Sequence, residues 1–356
     1  MADVLFVPVS EKSTAAERQQ AFERLLAAFD LARVVEEGDK IAVKTHFGEH
    51  TNTTHLSPAL VGAVVRRVKE AQGLPFLTET STLYKGRRSN ALVHLELAHD
   101  HGFTWEAVGC PIVMADGLLG DSEIEVEISG EVYERVNIAR DIVLADALVV
   151  VSHPTGHMVT AAGACLKNLG MGCASRKGKR AQHCSLKPTV VTKHCRNCKV
   201  CRRWCPQEAI AEVDGRIVID HATCIGCGEC LAVCRHDAIS IDWRTDSEVV
   251  QKRIVEHALG VVSRKRGKCL FINALVDMTS ECDCLEKNQS PVMADVGFAL
   301  STDPVALDQA TLDLTARRAG KTLAELSHPA LDATVQLAHA EKVGLGERGY
   351  RLVTVD

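Results

Sequence analysis

The chain has 356 residues, 46% hydrophobic and 24% charged, a globular balance that excludes disorder and collagen-like repeats, at a length that suggests about two domains. Its net charge of −5 hides an asymmetry: residues 147–207 hold eleven Lys or Arg and no Asp or Glu, a positive field suited to an acidic partner or an anionic ligand. The longest apolar run, Ile142 to Val151, is broken by Asp146 and falls short of the roughly 18 residues of a membrane span. MADVLFVPVSEKS lacks the basic start and apolar stretch of a secretory signal, so the cytoplasm is the expected location.

In chain order, β-type runs at Val4–Val9, Ile41–Thr45, Pro75–Thr78, Ile112–Ala115, Glu123–Ile128 and Leu148–Val151 alternate with helical patterns. Ser13 with Glu17 in the next turn opens a helix, Ser57-Pro58 opens another that Gly73 closes, and Ser89 opens a third ended by Gly102. After a cysteine-rich segment the pattern resumes. A helix over Glu248–Leu259 stops at Gly260, Cys269–Val276 reads as a strand, and Asp303-Pro304 opens a helix ended by Gly320. Strands alternating with helices predict an α/β host domain with a mostly parallel layered sheet.

Eight of the fifteen cysteines lie between Cys195 and Cys234, and they form an internal repeat. A shift of 29 residues carries Cys195, Cys198, Cys201 and Cys205 onto Cys224, Cys227, Cys230 and Cys234, and Ala209-Ile210 onto Ala238-Ile239. The doubled C-x2-C-x2-C-x3-C run is the spacing of a bacterial-type two-cluster ferredoxin, in which the fourth Cys of each run ligates the other cluster. That assigns Cys195, Cys198, Cys201 and Cys234 to cluster one, and Cys224, Cys227, Cys230 and Cys205 to cluster two. Structural zinc needs only paired C-x2-C knuckles and leaves the third Cys of each run unexplained. Arg235 stands where the repeat partner has Pro206; the Pro shapes a turn and is no ligand. The predicted organisation is a discontinuous α/β domain, 1–187 and 246–356, carrying an inserted α+β ferredoxin-like module at 188–245 with two [4Fe–4S] clusters.

Two phosphate-loop look-alikes fail. Only seven residues follow the Gly344-x-Gly346-x-x-Gly349 run, too few for the helix and sheet of a dinucleotide site, so it reads as a terminal turn. Gly172 to Gly178 before Lys179 is one residue too long for a Walker loop, and Arg180 stands where Ser or Thr must hold magnesium. The strand-end segments are more informative, because open α/β sheets bind ligands at the carboxyl ends of their strands. One such end gives Lys44 and His46, with His50 and His55 nearby. Another gives His153 and His157, then Lys167 and Asn168 among glycines. Lys44, His46, His153, His157 and Lys167 are the candidate catalytic group, and their loops are predicted to converge on one pocket. Cys282-Asp283-Cys284, after the Cys269–Val276 strand, is placed at its edge as an additional metal site or a redox thiol pair. Cys110 and Cys269 read as ordinary buried residues.

The combination of Lys44-Thr-His46-Phe-Gly48-Glu49, His153-Pro-Thr-Gly-His157, Lys167-Asn-Leu-Gly-Met-Gly172, the double cysteine run, Cys282-Asp-Cys284 and Ser301-Thr-Asp303-Pro-Val-Ala-Leu-Asp308 resembles the domain of unknown function 362 family, in its subgroup of Fe–S centre proteins. The resemblance covers nearly the whole chain and implies a two-cluster ferredoxin module set in an α/β domain; it implies no particular reaction. The expected function is an iron–sulfur redox protein, an oxidoreductase or its electron-transfer component. The clusters would pass electrons between an acidic redox partner and a strand-end site that takes an anionic small molecule or a further metal. The alternative is a non-enzymatic electron-transfer subunit whose α/β domain docks a partner. With aromatics at 4% there are few platforms for stacking bases, so nucleic acid is not an expected partner.

Overall fold

The alternating periods resolve into a layered α/β arrangement. The computed structural model describes residues 1–355 apart from 85, 184–186, 225–228, 237, 241–246 and 266. Strands β1 (Ala2–Pro8), β2 (Lys40–Lys44), β3 (Leu74–Glu79), β4 (Ile112–Met114), β5 (Ala147–Ser152), β6 (Cys269–Leu275), β7 (Gly297–Ser301) and β8 (Tyr350–Thr354) form one eight-stranded sheet, ordered β8-β1-β7-β6-β5-β2-β3-β4. Only β7 runs against its two neighbours; the other pairings are parallel. The sheet is mostly parallel, as the alternation predicts.

Both faces of the sheet are covered, so its central strands are apolar throughout. Along β5, Leu148 and Val150 enter one core while Ala147, Val149 and Val151 enter the other. In β6, Phe271 and Leu275 face the first core, and Leu270, Ile272 and Ala274 the second. This is the two-residue period of a strand buried on both sides. From β2 the chain steps outward through β3 and β4, then returns on the other side of β2 as β5. The crevice at the carboxyl ends of β2 and β5 is therefore a topological switch point, where open sheets bind their ligands.

The capping signals hold with small shifts. Ser57 caps helix Pro58–Glu70, and Asp303 caps Pro304–Ala319, which ends at left-handed Gly320. At the first helix the cap is Thr14, one residue beyond Ser13, in a reciprocal box with Glu17. At the third it is Asn90, not Ser89. Gly260 does not stop its helix, which runs Ser247–Ser263. A Cβ there would lie 2.4 Å from Val136 Cγ2, so the glycine serves close packing rather than termination. Glu123–Glu127 lies outside the large sheet, paired with Arg135–Ala139. Strands β7, β8 and Arg135–Ala139 have no counterpart in the sequence reading. The Gly344–Gly349 turn leads directly into β8.

Residues 188–240 build a separate small unit with the order strand, helix, strand, strand, helix, strand. Thr189–Val190 pairs with Ile239–Ser240, and Ile210–Val213 with Arg216–Ile219; helices Val200–Arg203 and Glu229–Val233 lie between. The 29-residue shift seen in the cysteines carries the first strand–helix–strand onto the second. The unit has its own apolar cluster around Ile210, Ile217 and Ile239. The links to the larger domain include 184–186 and 241–246, outside the described residues. No helix among the described residues is long and apolar enough to cross a membrane.

One contact ties the core to the switch point. Helix Ser247–Ser263 lies so close to helix Cys165–Gly170 that a Cβ on Gly170 would stand 2.0 Å from the Ile254 carbonyl oxygen. Gly170→Ala should therefore lower stability in denaturant unfolding by about 1–3 kcal/mol, as overpacking does. Gly349→Ala, with nothing within 4 Å of the new methyl, should change it by less than about 0.5 kcal/mol.

Candidate functional site

Lys44 ends β2 fully buried, and a buried ammonium must be paired. Its Nζ lies 2.7 Å from Glu79 Oε1, at the end of neighbouring β3, and donates to Asn168 Oδ1 at 2.8 Å and to the Thr45 carbonyl at 3.0 Å. The Asn168 amide in turn donates to the Val151 carbonyl and to Ser152 Oγ, at the end of β5. Asn168 thus stitches together the two strands that flank the switch point. The short helix that carries Asn168 and Lys167, Cys165–Gly170, begins on the Asp308 carboxylate, which accepts from the Cys165 and Leu166 amides at 2.9 and 2.8 Å. Burial pushes the Asp308 carboxyl up to about 6. The Ser301–Asp308 motif is therefore scaffolding: Asp303 starts its own helix and Asp308 starts the one that bears Lys167.

His46, two residues beyond Lys44, accepts from the Gly48 amide through Nδ1 at 2.8 Å, and the Arg88 guanidinium stands 2.9 Å from its Nε2. Burial, then the charges of Arg88, Lys44 and Lys167, hold its pKa well below the ordinary range. It is a neutral imidazole. Arg88 is buried, pairs with Glu49 at 2.9 Å and donates to the Cys284 carbonyl at 3.2 Å. Tyr84 donates to the same carbonyl at 3.1 Å.

His153 is held from both sides. Its Nδ1 lies 2.7 Å from Asp283 Oδ2 and its Nε2 2.8 Å from the Val276 carbonyl, an arrangement that engages both ring nitrogens as donors. Burial opposes its charge, but Asp283 outweighs burial and raises its pKa. Asp283 also accepts from Thr54 Oγ1 and the Asn52 amide. With both nitrogens committed, His153 acts as a strut for the Cys282-Asp283-Cys284 turn. His157 receives the Val159 and Thr160 amides on Nδ1 at 3.2 and 3.1 Å, which leaves the proton on Nε2. Burial and then Lys167 keep it neutral. Its hairpin is pinned to the cysteine loop by Gly156, whose amide donates to the Thr279 carbonyl.

Beyond these groups the hydrogen bonds meet at a sulfur. Lys167 Nζ donates to Cys282 Sγ at 2.9 Å, and the Cys284 amide donates to the same sulfur at 3.3 Å. Hydrogen bonding from the Cys284 thiol and the charge of Lys167 outweigh burial and bring the Cys282 thiol down to about 5, while Cys284 is pushed well up. At neutral pH the pair is one thiolate and one thiol. Burial opposes charge on Lys167, but the two sulfurs raise its pKa. Among the described residues no three His, Cys, Asp or Glu stand grouped to hold a single metal ion. The described surroundings of Cys282 and Cys284 are those of a thiolate–ammonium pair.

Of the candidate group, Lys167 touches Cys282, His153 is bound to Asp283, His46 lies against Arg88, which bonds the Cys284 carbonyl, Lys44 holds Asn168 beside Lys167, and His157 is bound within its own hairpin. His50 and His55 stand aside: His50 pairs with Glu286 on the surface, and His55 stacks on His101 at 4.3 Å. Sequence reasoning missed Glu79, Arg88 and Tyr84 and left Asp283 without a role. The strand-end signal that selected Lys44 applies equally to Glu79; nothing local marks Arg88. Lys179, one of the basic residues of the 147–207 segment, is buried against Thr80 Oγ1 and the Ser81 carbonyl, and burial brings it down to about 8.

In the small unit, Cys195, Cys198, Cys201 and Cys234 line one pocket, together with Val200, Ile217, Ala238 and Ile239. Arg196, Lys199 and His236 complete its wall. At equivalent points of the repeat, the Ala209 amide donates to Cys205 Sγ and the Ala238 amide to Cys234 Sγ, both at 3.3 Å. Of the cluster-two cysteines, Cys224, Cys230 and Cys205 are described; Cys227 lies outside the described residues.

The Cys282 thiolate makes a direct prediction. Its alkylation by iodoacetamide, followed by peptide mass spectrometry, should level off above about pH 6, and Lys167→Met should move the midpoint toward the roughly 8.5 of a free thiol. An unchanged midpoint in the variant would show that Lys167 does not activate the sulfur.

No curated protein matches the chain in sequence. Solved structures give distant likenesses. The lactate racemase apoprotein from Thermoanaerobacterium thermosaccharolyticum aligns at 12% identity and a TM-score of 0.39, over 78% of this chain and 51% of that one. A Thermotoga maritima protein aligns at 10% identity and a TM-score of 0.34, over 75% and 51%. The chain spans about half the length of both. The model of the domain of unknown function family DUF362 matches residues 41–313, well over half of the chain, and the protein belongs to that family.

Proposed function

We propose that the protein is an iron–sulfur redox protein that relays electrons through two [4Fe–4S] clusters to the strand-end site of its α/β layer. The observation that carries this reading is the cavity lined by Cys195, Cys198, Cys201 and Cys234. Three thiols come from one run and the fourth from the other, the crossed set that a two-cluster ferredoxin uses. A zinc knuckle uses paired C-x2-C turns and leaves the third Cys of a run without a role; here all three cysteines of one run and the last of the other line the same pocket. The residues fit a cubane. Cluster two would take Cys224, Cys227, Cys230 and Cys205. When bound, each cluster supplies a one-electron store at thiolate-held iron.

The chain's own residues set the surroundings. The Ala209 and Ala238 amides donate to sulfur and so ease its negative charge. Cys198 is exposed while Cys201 is buried, so cluster one would face solvent on the Cys198 side. Lys193, Arg196, Arg202, Arg203 and Trp204 are exposed in the same segment, which suits docking of an acidic redox protein through long-range attraction. At the other end of the relay, the Cys282 thiolate beside Lys167 offers a nucleophilic, oxidisable sulfur. Lys44 and Lys167 already face Glu79 and Cys282, so the site does not need an anionic substrate to balance them. Buried ion pairs of this kind cost desolvation and add little stability. That weighs against the α/β layer as a mere docking platform.

Anaerobically purified protein should contain about eight irons and eight acid-labile sulfides per chain, and Cys198→Ser should lose about half of each. Stoichiometric zinc without labile sulfide would overturn the reading.

A further inference from the structure

We propose that Cys282 and Cys284 form a reversible dithiol–disulfide couple, the two-electron acceptor at the end of the relay, with Lys167 as the positioning residue that sets its poise. The geometry that points there is a turn fixed from three directions. On one side the Asp283 carboxylate is locked to His153 at 2.7 Å and to Thr54 at 2.8 Å. On the other, Arg88 and Tyr84 both donate to the Cys284 carbonyl. Between these anchors the Cys284 amide and Lys167 Nζ converge on Cys282 Sγ at 3.3 and 2.9 Å. Two sulfurs one residue apart are thus held in a rigid turn, screened from solvent on the Cys282 side, where 6% of the residue is exposed.

The exchange balances in atoms and charge. The Cys282–Cys284 disulfide takes up two electrons and one proton, the S–S bond breaks, and the products are the Cys282 thiolate, paired with Lys167, and the Cys284 thiol. The reductant is of the one-electron iron–sulfur class, so this inference rests on the relay reading for its supply of electrons. In reverse the thiolate and thiol lose two electrons and one proton and the bond re-forms. Because Lys167 stabilises the thiolate, it favours the reduced form, as in oxidoreductases whose stabilised thiolate makes the disulfide a strong oxidant. The pairing also explains a lysine carried against Gly163, where a Cβ would lie 2.7 Å from Lys167 Cδ. The missing side chain leaves room for the stem to reach the sulfur.

The test uses the whole chain, prepared anaerobically and equilibrated with mixtures of reduced and oxidised glutathione, whose poise spans the range of such couples. It is then quenched in acid, alkylated and digested for mass spectrometry of the peptide holding both cysteines. A reversible loss of two hydrogens is expected. Lys167→Met should shift the equilibrium toward the disulfide by roughly tenfold, and Lys167→Arg, which keeps the charge, should restore most of it. A merely structural lysine would not give that pattern. Reduced methyl viologen, a one-electron donor, should open the disulfide at least about tenfold faster in the wild type than in Cys198→Ser. Failure to form the disulfide at any mixing ratio overturns the couple, as does a Lys167→Met shift that is absent or toward the dithiol. Equal viologen rates overturn its supply through the clusters. Iron and sulfide content, measured on the same samples, reports on the relay reading separately.

Discussion

Lys44 is the constraint from which the site follows. An ammonium fully buried at the end of a central strand is tolerated only when its charge and its hydrogens are satisfied, and each group that satisfies it fixes another element. Glu79 ties in the end of β3. Asn168 ties in β5 and the short helix beyond it. Gly172 must lack a side chain, because a Cβ there would lie 2.2 Å from the Asn168 carbonyl oxygen and 2.8 Å from Lys44 Nζ. Thr80 holds the Gly172 carbonyl at 2.8 Å. The glycine-rich segment after Lys167 is thus the collar of a buried lysine. Lys167, on the same short helix, reaches the cysteine turn.

The same logic separates reactive from supporting groups. His153 and Asp283 neutralise each other and shape the turn. Arg88 neutralises Glu49 and crowds His46, which stays neutral. What remains is the Cys282 sulfur, whose charge is met by a lysine and a backbone amide rather than by a fixed carboxylate partner. A thiolate stabilised in this way can change its chemistry as well as its charge.

Much of this was legible in the sequence, and the omissions have physical causes. Capping residues act locally, so Ser57, Asp303 and Gly320 read correctly. Gly260 did not, because its role is a contact with Val136, distant in the chain. The five residues of β7 carry no alternation, since both their faces are buried, and the run is too short to stand out. Lys44, His153 and Lys167 could be chosen because they follow apolar runs or sit among glycines. Their partners could not: Arg88 meets Glu49 across 39 residues and His153 meets Asp283 across 130. Long-range pairing leaves no local mark on one sequence.

The small unit is the opposite case, since its repeat declares its geometry. Asn197 and Lys199 adopt left-handed backbone angles between the first cysteines, and their repeat partners are Gly226 and Gly228, the residue that takes that conformation at least cost. The matched amide-to-sulfur bonds at Cys205 and Cys234 repeat the pattern. Everything proposed for electron relay depends on the fourth ligand crossing between runs. Low-temperature EPR of the anaerobically reduced chain tests this most directly. Cys201→Ser and Cys234→Ser should abolish the same signal and leave the other, while Cys205→Ser and Cys230→Ser abolish the second. If Cys234→Ser instead behaves like Cys230→Ser, each run holds its own cluster, and the account of the cavity is wrong.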